Sequence, residues 1–100
     1  MSVLITFKVP GDTAKFRAAL EERGDEFAAI AERAKGQGAI HHRFGIGDGF
    51  VVVVDEWETA EQFESFFSDP ELQAFIGDVG GSGGPEGMTV TDAVSSRDQF

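Results

Sequence analysis

Phe50-Val51-Val52-Val53-Val54-Asp55-Glu56-Trp57-Glu58-Thr59-Ala60-Glu61-Gln62-Phe63 decides the fold. Its first part, Phe50 to Val54, is apolar without a break, so a strand built on it presents apolar side chains to both faces of a sheet. A two-layer monomer would leave one of those faces polar, so something must cover the second face. Directly after Trp57, Thr59 and Gln62 have the spacing of a capping box, and Glu61 suits the positive end of a helix dipole. The helix that follows carries Phe63, Phe66 and Phe67 on one stripe. Asp69-Pro70 then restarts a short helix, with Pro at the first helical position and Leu72, Phe75, Ile76 and Val79 as its apolar residues.

Upstream, Ala39 to Ile46 reads as the partner strand, joined through Gly47-Asp48-Gly49, a tight hairpin signal. Before it, Phe16, Leu20, Phe27, Ile30 and Ala34 form a helical stripe beginning at Asp12 or Thr13 and ending near Gly36-Gln37-Gly38. Arg23 interrupts that stripe, and with Gly24 beside it and Asp25 able to cap afresh the segment is either two helices or one kinked helix. Val3, Ile5, Phe7 and Val9 alternate with Ser2, Leu4, Thr6 and Lys8 in the period of a first strand, stopped by Pro10-Gly11-Asp12. A glycine-rich segment, residues 80–87, reads as a linker or lid before a last strand from Met88 to Val94.

The order β, α, β, β, α, β predicts an α+β, ferredoxin-like βαββαβ domain: a four-stranded antiparallel sheet with helices on one face. Two such sheets packed face to face about a two-fold axis would bury Val51 and Val53, or Val52 and Val54, which predicts a homodimer of the dimeric α+β barrel kind. Residues 1–94 form a single domain in this reading, and residues 95–100 a flexible C-terminal tail.

With 100 residues and ten Phe, the chain is long enough for one compact core and too short for two. Eight Lys plus Arg against eighteen Asp plus Glu gives a net charge of -10, which argues against nucleic acid and anionic membranes as partners. The absence of Cys excludes disulfides, thiolate metal sites and cysteine nucleophiles. The opening Met1-Ser2-Val3-Leu4-Ile5-Thr6-Phe7-Lys8 has no basic region and turns polar early, so it reads as neither a signal peptide nor a membrane span, and a cytoplasmic location is expected.

Val54-Asp55-Glu56-Trp57-Glu58-Thr59-Ala60-Glu61-Gln62-Phe63, followed by Phe66-Phe67 and Asp69-Pro70-Glu71-Leu72, resembles the dimeric α+β barrel proteins of the antibiotic biosynthesis monooxygenase type. That superfamily includes cofactor-independent monooxygenases acting on polyketide quinols, haem-degrading enzymes, polyketide cyclases and small-molecule isomerases. The resemblance implies a pocket between helices and sheet and no resident cofactor. This chain departs from the pattern in having no Asn and no Tyr, and residues 59–79 contain no His to serve as a haem ligand. Haem degradation is therefore not expected. Quinol oxygenation would have to rely on Trp57, His41 or His42.

His41 and His42 are the two histidines, and adjacent strand residues point to opposite faces, so at most one enters a cavity between sheet and helices. A buried imidazole there could act as a general base on a phenol or an activated methylene. Asp55 could orient it, and Trp57 could stack on an aromatic ligand or polarise it through the indole N–H. Phe44, Phe63 and Phe67 are candidate ligand-binding residues among a Phe set that otherwise builds core. The more ordinary assignments are a paired strand histidine, a solvated strand-end carboxylate and a core tryptophan. No metal site is expected, because two adjacent histidines on opposite faces cannot chelate one ion. The glycine-rich segment lacks Lys and precedes a strand, so it is not a phosphate loop. The expected function is thus a small apolar or aromatic ligand-binding pocket, with monooxygenase-like or proton-transfer chemistry as its catalytic form. The alternative is a non-catalytic dimeric accessory or sensing module.

Overall fold

The computed structural model describes residues 1–100. In chain order the elements are β1 (Val3–Pro10), α1 (Thr13–Glu22), α2 (Gly24–Gly36), β2 (Ala39–Ile46), β3 (Phe50–Trp57), α3 (Ala60–Phe67), α4 (Pro70–Asp78) and β4 (Glu86–Asp92). The strands form one sheet in the order β2-β3-β1-β4, with every neighbouring pair antiparallel. This is the ferredoxin-like arrangement, each βαβ half being split by a strand of the other.

Local chemistry accounts for most boundaries. Asp12 caps α1 by accepting from Lys15 N at 3.0 Å. The capping box at α3 is complete: Thr59 Oγ1 accepts from Gln62 N at 3.2 Å, and Gln62 Oε1 accepts from Thr59 N at 3.0 Å. Pro70 opens α4 behind an Asp69 cap. The β2–β3 hairpin closes through Gly47 N to Phe50 O at 2.9 Å, with Gly49 at φ 82. Between α1 and α2 the chain breaks at Arg23, giving two helices. Asp25 does not cap the second; it lies in the first turn, and the cap position is Arg23, which makes no side-chain capping bond.

Cross-strand pairing sorts the valine run. Val3↔Trp57, Ile5↔Asp55, Phe7↔Val53 and Val9↔Val51 share the face that carries the helices, while Leu4↔Glu56, Thr6↔Val54 and Lys8↔Val52 share the other. Ile5, Phe7, Val51, Val53 and Trp57 are buried accordingly. On the far face Leu4 and Val54 are exposed and Val52 is half-buried, so the second apolar face is uncovered within one chain. β4 is bare as well: it runs from Glu86 to Asp92, two residues earlier than the periodicity suggests, and all seven of its residues are exposed.

The glycine-rich segment is not free along its whole length. Asp12 N donates to Gly80 O at 2.9 Å, Ser82 N donates to Pro10 O at 2.9 Å, and Gly11 pairs with Gly81 as an isolated bridge. The backbones approach so closely that a Cβ on Gly11 would collide with the Gly80 carbonyl. Beyond Asp92 no helix or strand forms, and residues 95–100 are exposed.

Candidate functional site

The core falls into two clusters rather than one. Ile5, Phe7, Val53, Trp57, Phe63, Phe66 and Leu72 form the first, Phe16, Ala19, Val51 and Val79 form the second, and half-buried Phe44 packs against both. Space is left between them, a cavity of about 530 Å³ bounded by the sheet and the helices. Helix α2 roofs it. Phe27, Ile30 and Ala34, its apolar stripe, face inward, yet α2 contains no buried residue because much of what lies beneath it is open volume. Small side chains make the room: Ala28, Ala31 and Ala34 recur at a spacing of three along the cavity-facing side of α2. That alanine spacing was the sequence signal for the cavity wall, and apolar periodicity alone does not separate it from ordinary core.

Asp55 is the one buried polar or charged residue of the chain. It lies on the central strand β3, in the row Val51, Val53, Asp55, Trp57 that faces the helices. A carboxylate removed from water must be bonded to persist there, and both of its oxygens are engaged. Trp57 Nε1–H donates to Oδ2 at 3.0 Å, and His42 Nδ1 lies 2.6 Å from Oδ1. A carboxylate only accepts, so Nδ1 is assigned as the donor, and in the neutral imidazole the second ring nitrogen, Nε2, then carries the lone pair. The imidazole packs edge-on to Phe44, with ring centroids 4.6 Å apart, and its side chain is 42% exposed, so it stands between the cavity and solvent.

A one-residue irregularity decides which histidine occupies this position. Ala39 pairs with Trp57, but His41 pairs with Glu56 and His42 with Asp55, so the register shifts between Ala39 and His41. An unbroken register from Ala39 would have placed His41 opposite Asp55. With the bulge absorbing Ile40, His42 shares the helix face with Asp55, Phe44 and Ile46, and His41 pairs on the opposite face with Glu56, although both histidines border the cavity.

The structure therefore brings together His42, Asp55, Trp57 and Phe44 and separates His41 from them. Trp57 is 1% exposed and wedged against Phe63 and Phe66, with centroids at 5.8 Å and 5.5 Å. Phe63 and Phe67 stack on each other at 5.4 Å, and Phe67 meets Phe7 edge-on, forming an aromatic wall of the cavity. Phe16, Phe27, Phe44 and Phe75 form a second aromatic set through edge-on contacts between 5.0 Å and 6.0 Å. Gly11, Gly80 and Gly81, joined by the Gly11–Gly81 bridge, also line the cavity, and their composition alone marks them only as loop. Taken as chemistry, the arrangement is an apolar chamber with one oriented imidazole in its wall. No helix is long and apolar enough to cross a membrane.

No family model matches the sequence, and no curated protein matches it significantly. Solved structures do. The chain is similar to SnoaB, a cofactor-independent oxygenase from Streptomyces nogalater, with 15% identity, 98% of each chain covered and a TM-score of 0.63. It is similar to a provisionally named antibiotic biosynthesis monooxygenase from Caulobacter crescentus, with 17% identity, 94% of this chain and 91% of that one covered and a TM-score of 0.63. It is also similar to a dimeric ferredoxin-like protein from an uncultured marine organism, with 13% identity, 99% of this chain and 93% of that one covered and a TM-score of 0.63. Identities this low establish the fold alone, and the fold this chain shares with these neighbours is the ferredoxin-like α+β architecture.

Proposed function

We propose that this chain takes a small, neutral, apolar or aromatic molecule into the cavity between helices and sheet and accepts a proton from it on His42. The observation that carries this reading is the Asp55-anchored imidazole in the wall of an otherwise largely apolar chamber. In the step proposed, the bond between a ligand carbon or oxygen and its hydrogen breaks, its electron pair stays on the ligand, and the proton moves to His42 Nε2. Asp55 stabilises the imidazolium that results. Proton-transfer rearrangement returns the proton to another atom of the ligand. Monooxygenase-like chemistry would pass electrons from the ligand anion to dioxygen. A net charge of -10 disfavours ligands that enter as anions. The fold shared with SnoaB, named as a cofactor-independent oxygenase, supports the oxidative branch by analogy.

The working unit proposed is a homodimer. On the uncovered sheet face Leu4, Val52 and Val54 form an apolar strip beside Arg43 and Glu56, charges of opposite sign that a two-fold axis can bring together. A dimeric neighbour of the same fold supports this.

The test uses anthrone, a neutral tricyclic ketone with an activated methylene, and N-phenyl-1-naphthylamine, a dye whose fluorescence rises in apolar cavities. Wild-type protein should bind the dye and accelerate deuterium exchange at the anthrone methylene, His42→Gln should bind the dye without accelerating exchange, and Ala31→Trp should lose both by filling the chamber. Equal exchange rates in wild type and His42→Gln, with dye binding intact, would instead favour the non-catalytic accessory or sensing module.

A further inference from the structure

We infer that Trp57 is the positioning residue of this site: its indole N–H fixes the Asp55 carboxylate so that the second oxygen holds His42 Nδ1–H and leaves Nε2 as the base. The inference rests on the proton-acceptor reading of His42 and adds a role for a side chain that does not itself meet the ligand.

Three observations carry it. Trp57 and Asp55 are two residues apart on β3 and therefore on one face, which puts indole Nε1 within 3.0 Å of Oδ2. The indole is locked by Phe63 and Phe66 at 1% exposure, whereas His42 is 42% exposed. Phe44 packs against the imidazole ring, but of the two side chains bonded to Asp55 the indole is the one held fast, so it is Trp57 that orients the carboxylate His42 meets. Asp55 has no hydrogen-bond partner besides these two side chains, so without the indole N–H its terminal torsion, which is intrinsically broad, is restrained by His42 alone. The same geometry leaves little room for other roles. Trp57 borders the cavity, but at 1% exposure it presents little ring face for stacking on a ligand, and its N–H is already committed to Asp55.

The residue is testable because it is the chain's single Trp. Trp57→Phe keeps an aromatic plug and deletes the N–H. Biosynthetic replacement of tryptophan by β-(3-benzothienyl)alanine keeps the bicyclic shape, exchanges N–H for sulfur, and serves if the Phe variant does not fold. The first readout is the ¹⁵N shift pair of the ligand-free His42 imidazole, assigned against His42→Gln. Wild type should show one neutral tautomer with the proton on Nδ1, and both replacements should show a mixture. Anthrone exchange should fall by roughly ten- to a hundredfold, the scale expected when a catalytic group is mispositioned, while the dye's affinity in the sulfur-substituted protein stays within about twofold, because the bicyclic side chain at the cavity wall keeps its shape. A single unaltered tautomer in the sulfur-substituted protein would overturn the inference. If wild-type protein exchanges no anthrone, the proposed function fails, and the tautomer comparison still decides what Trp57 does.

Discussion

Replacing Asp55 by Asn changes one terminal atom of the site and asks the most of the argument. The indole can only donate, so the amide oxygen of Asn must turn toward Trp57, and its NH₂ then faces His42 Nδ1. To keep a bond there the imidazole has to accept at Nδ1 and carry its proton on Nε2, the tautomer that cannot serve as base. Two bonds to a charged acceptor become two neutral ones, a loss of about 1 kcal/mol each by typical values. The His42 side counts for less, because that ring is 42% exposed and water competes for it. Removing a buried charge also relieves its desolvation. The net expectation is a fall in stability of about 1–2 kcal/mol, or roughly 5–15 °C in melting temperature for a domain of this size. Circular dichroism melts would measure the fall, dye fluorescence would show the chamber intact, and anthrone exchange should drop to the His42→Gln rate. An Asp55→Asn protein that exchanges anthrone as fast as wild type would refute the claim that the carboxylate sets the imidazole tautomer.

Gly11→Ala drives a Cβ into the Gly80 carbonyl, with Gly80 C at 3.0 Å and Gly81 Cα at 3.1 Å, all backbone that cannot rotate away. It should cost about 1–3 kcal/mol by overpacking, whereas Gly84→Ala, with nothing within 4 Å of its Cβ, should stay within about 0.5 kcal/mol of wild type. Equal melting temperatures for the two variants would mean that the Gly11–Gly80 crossing does not hold the end of the chamber. Val54→Lys places a charge in the apolar strip of the uncovered sheet face, where Val54 is 40% exposed within one chain. Light scattering behind size exclusion should show a dimer for wild type and a monomer for the variant at low micromolar concentration. A wild-type monomer would remove the dimer from the proposal.

The order of elements, their caps and the hairpin were legible because they are set by residues close together in the chain. Thr59 and Gln62 cap α3 with their own side chains, Asp69-Pro70 opens α4, and Gly47-Asp48-Gly49 turns β2 into β3. The valine run marks β3 as a strand apolar on both faces, and pairing with β1 decides that Val51 and Val53 face the helices. The last strand begins two residues earlier than its periodicity suggests because Glu86 pairs with Lys8, with Gly87 at φ 60 inside the register irregularity that follows, and this pairing outweighs a weak strand propensity. Likewise the glycines of 80–87 read as loop by composition, and only their contact with Pro10 to Asp12, some seventy positions away, turns Gly80 and Gly81 into a packed wall.

For the site, the sequence by itself determined that adjacent His41 and His42 must part and that Asp55 shares a face with Trp57, since both follow from the two-residue period of a strand. Only the tertiary structure decided which histidine meets Asp55. The register shift around Ile40 inverts the facing of every later residue of β2, and nothing in the Ala39-Ile40-His41-His42 composition marks it, because a bulge is fixed by which backbone groups the neighbouring strand offers. The cavity was decided in the same way: whether phenylalanines fill a space or surround it depends on how far α2 stands from the sheet, a distance set by packing across the whole domain.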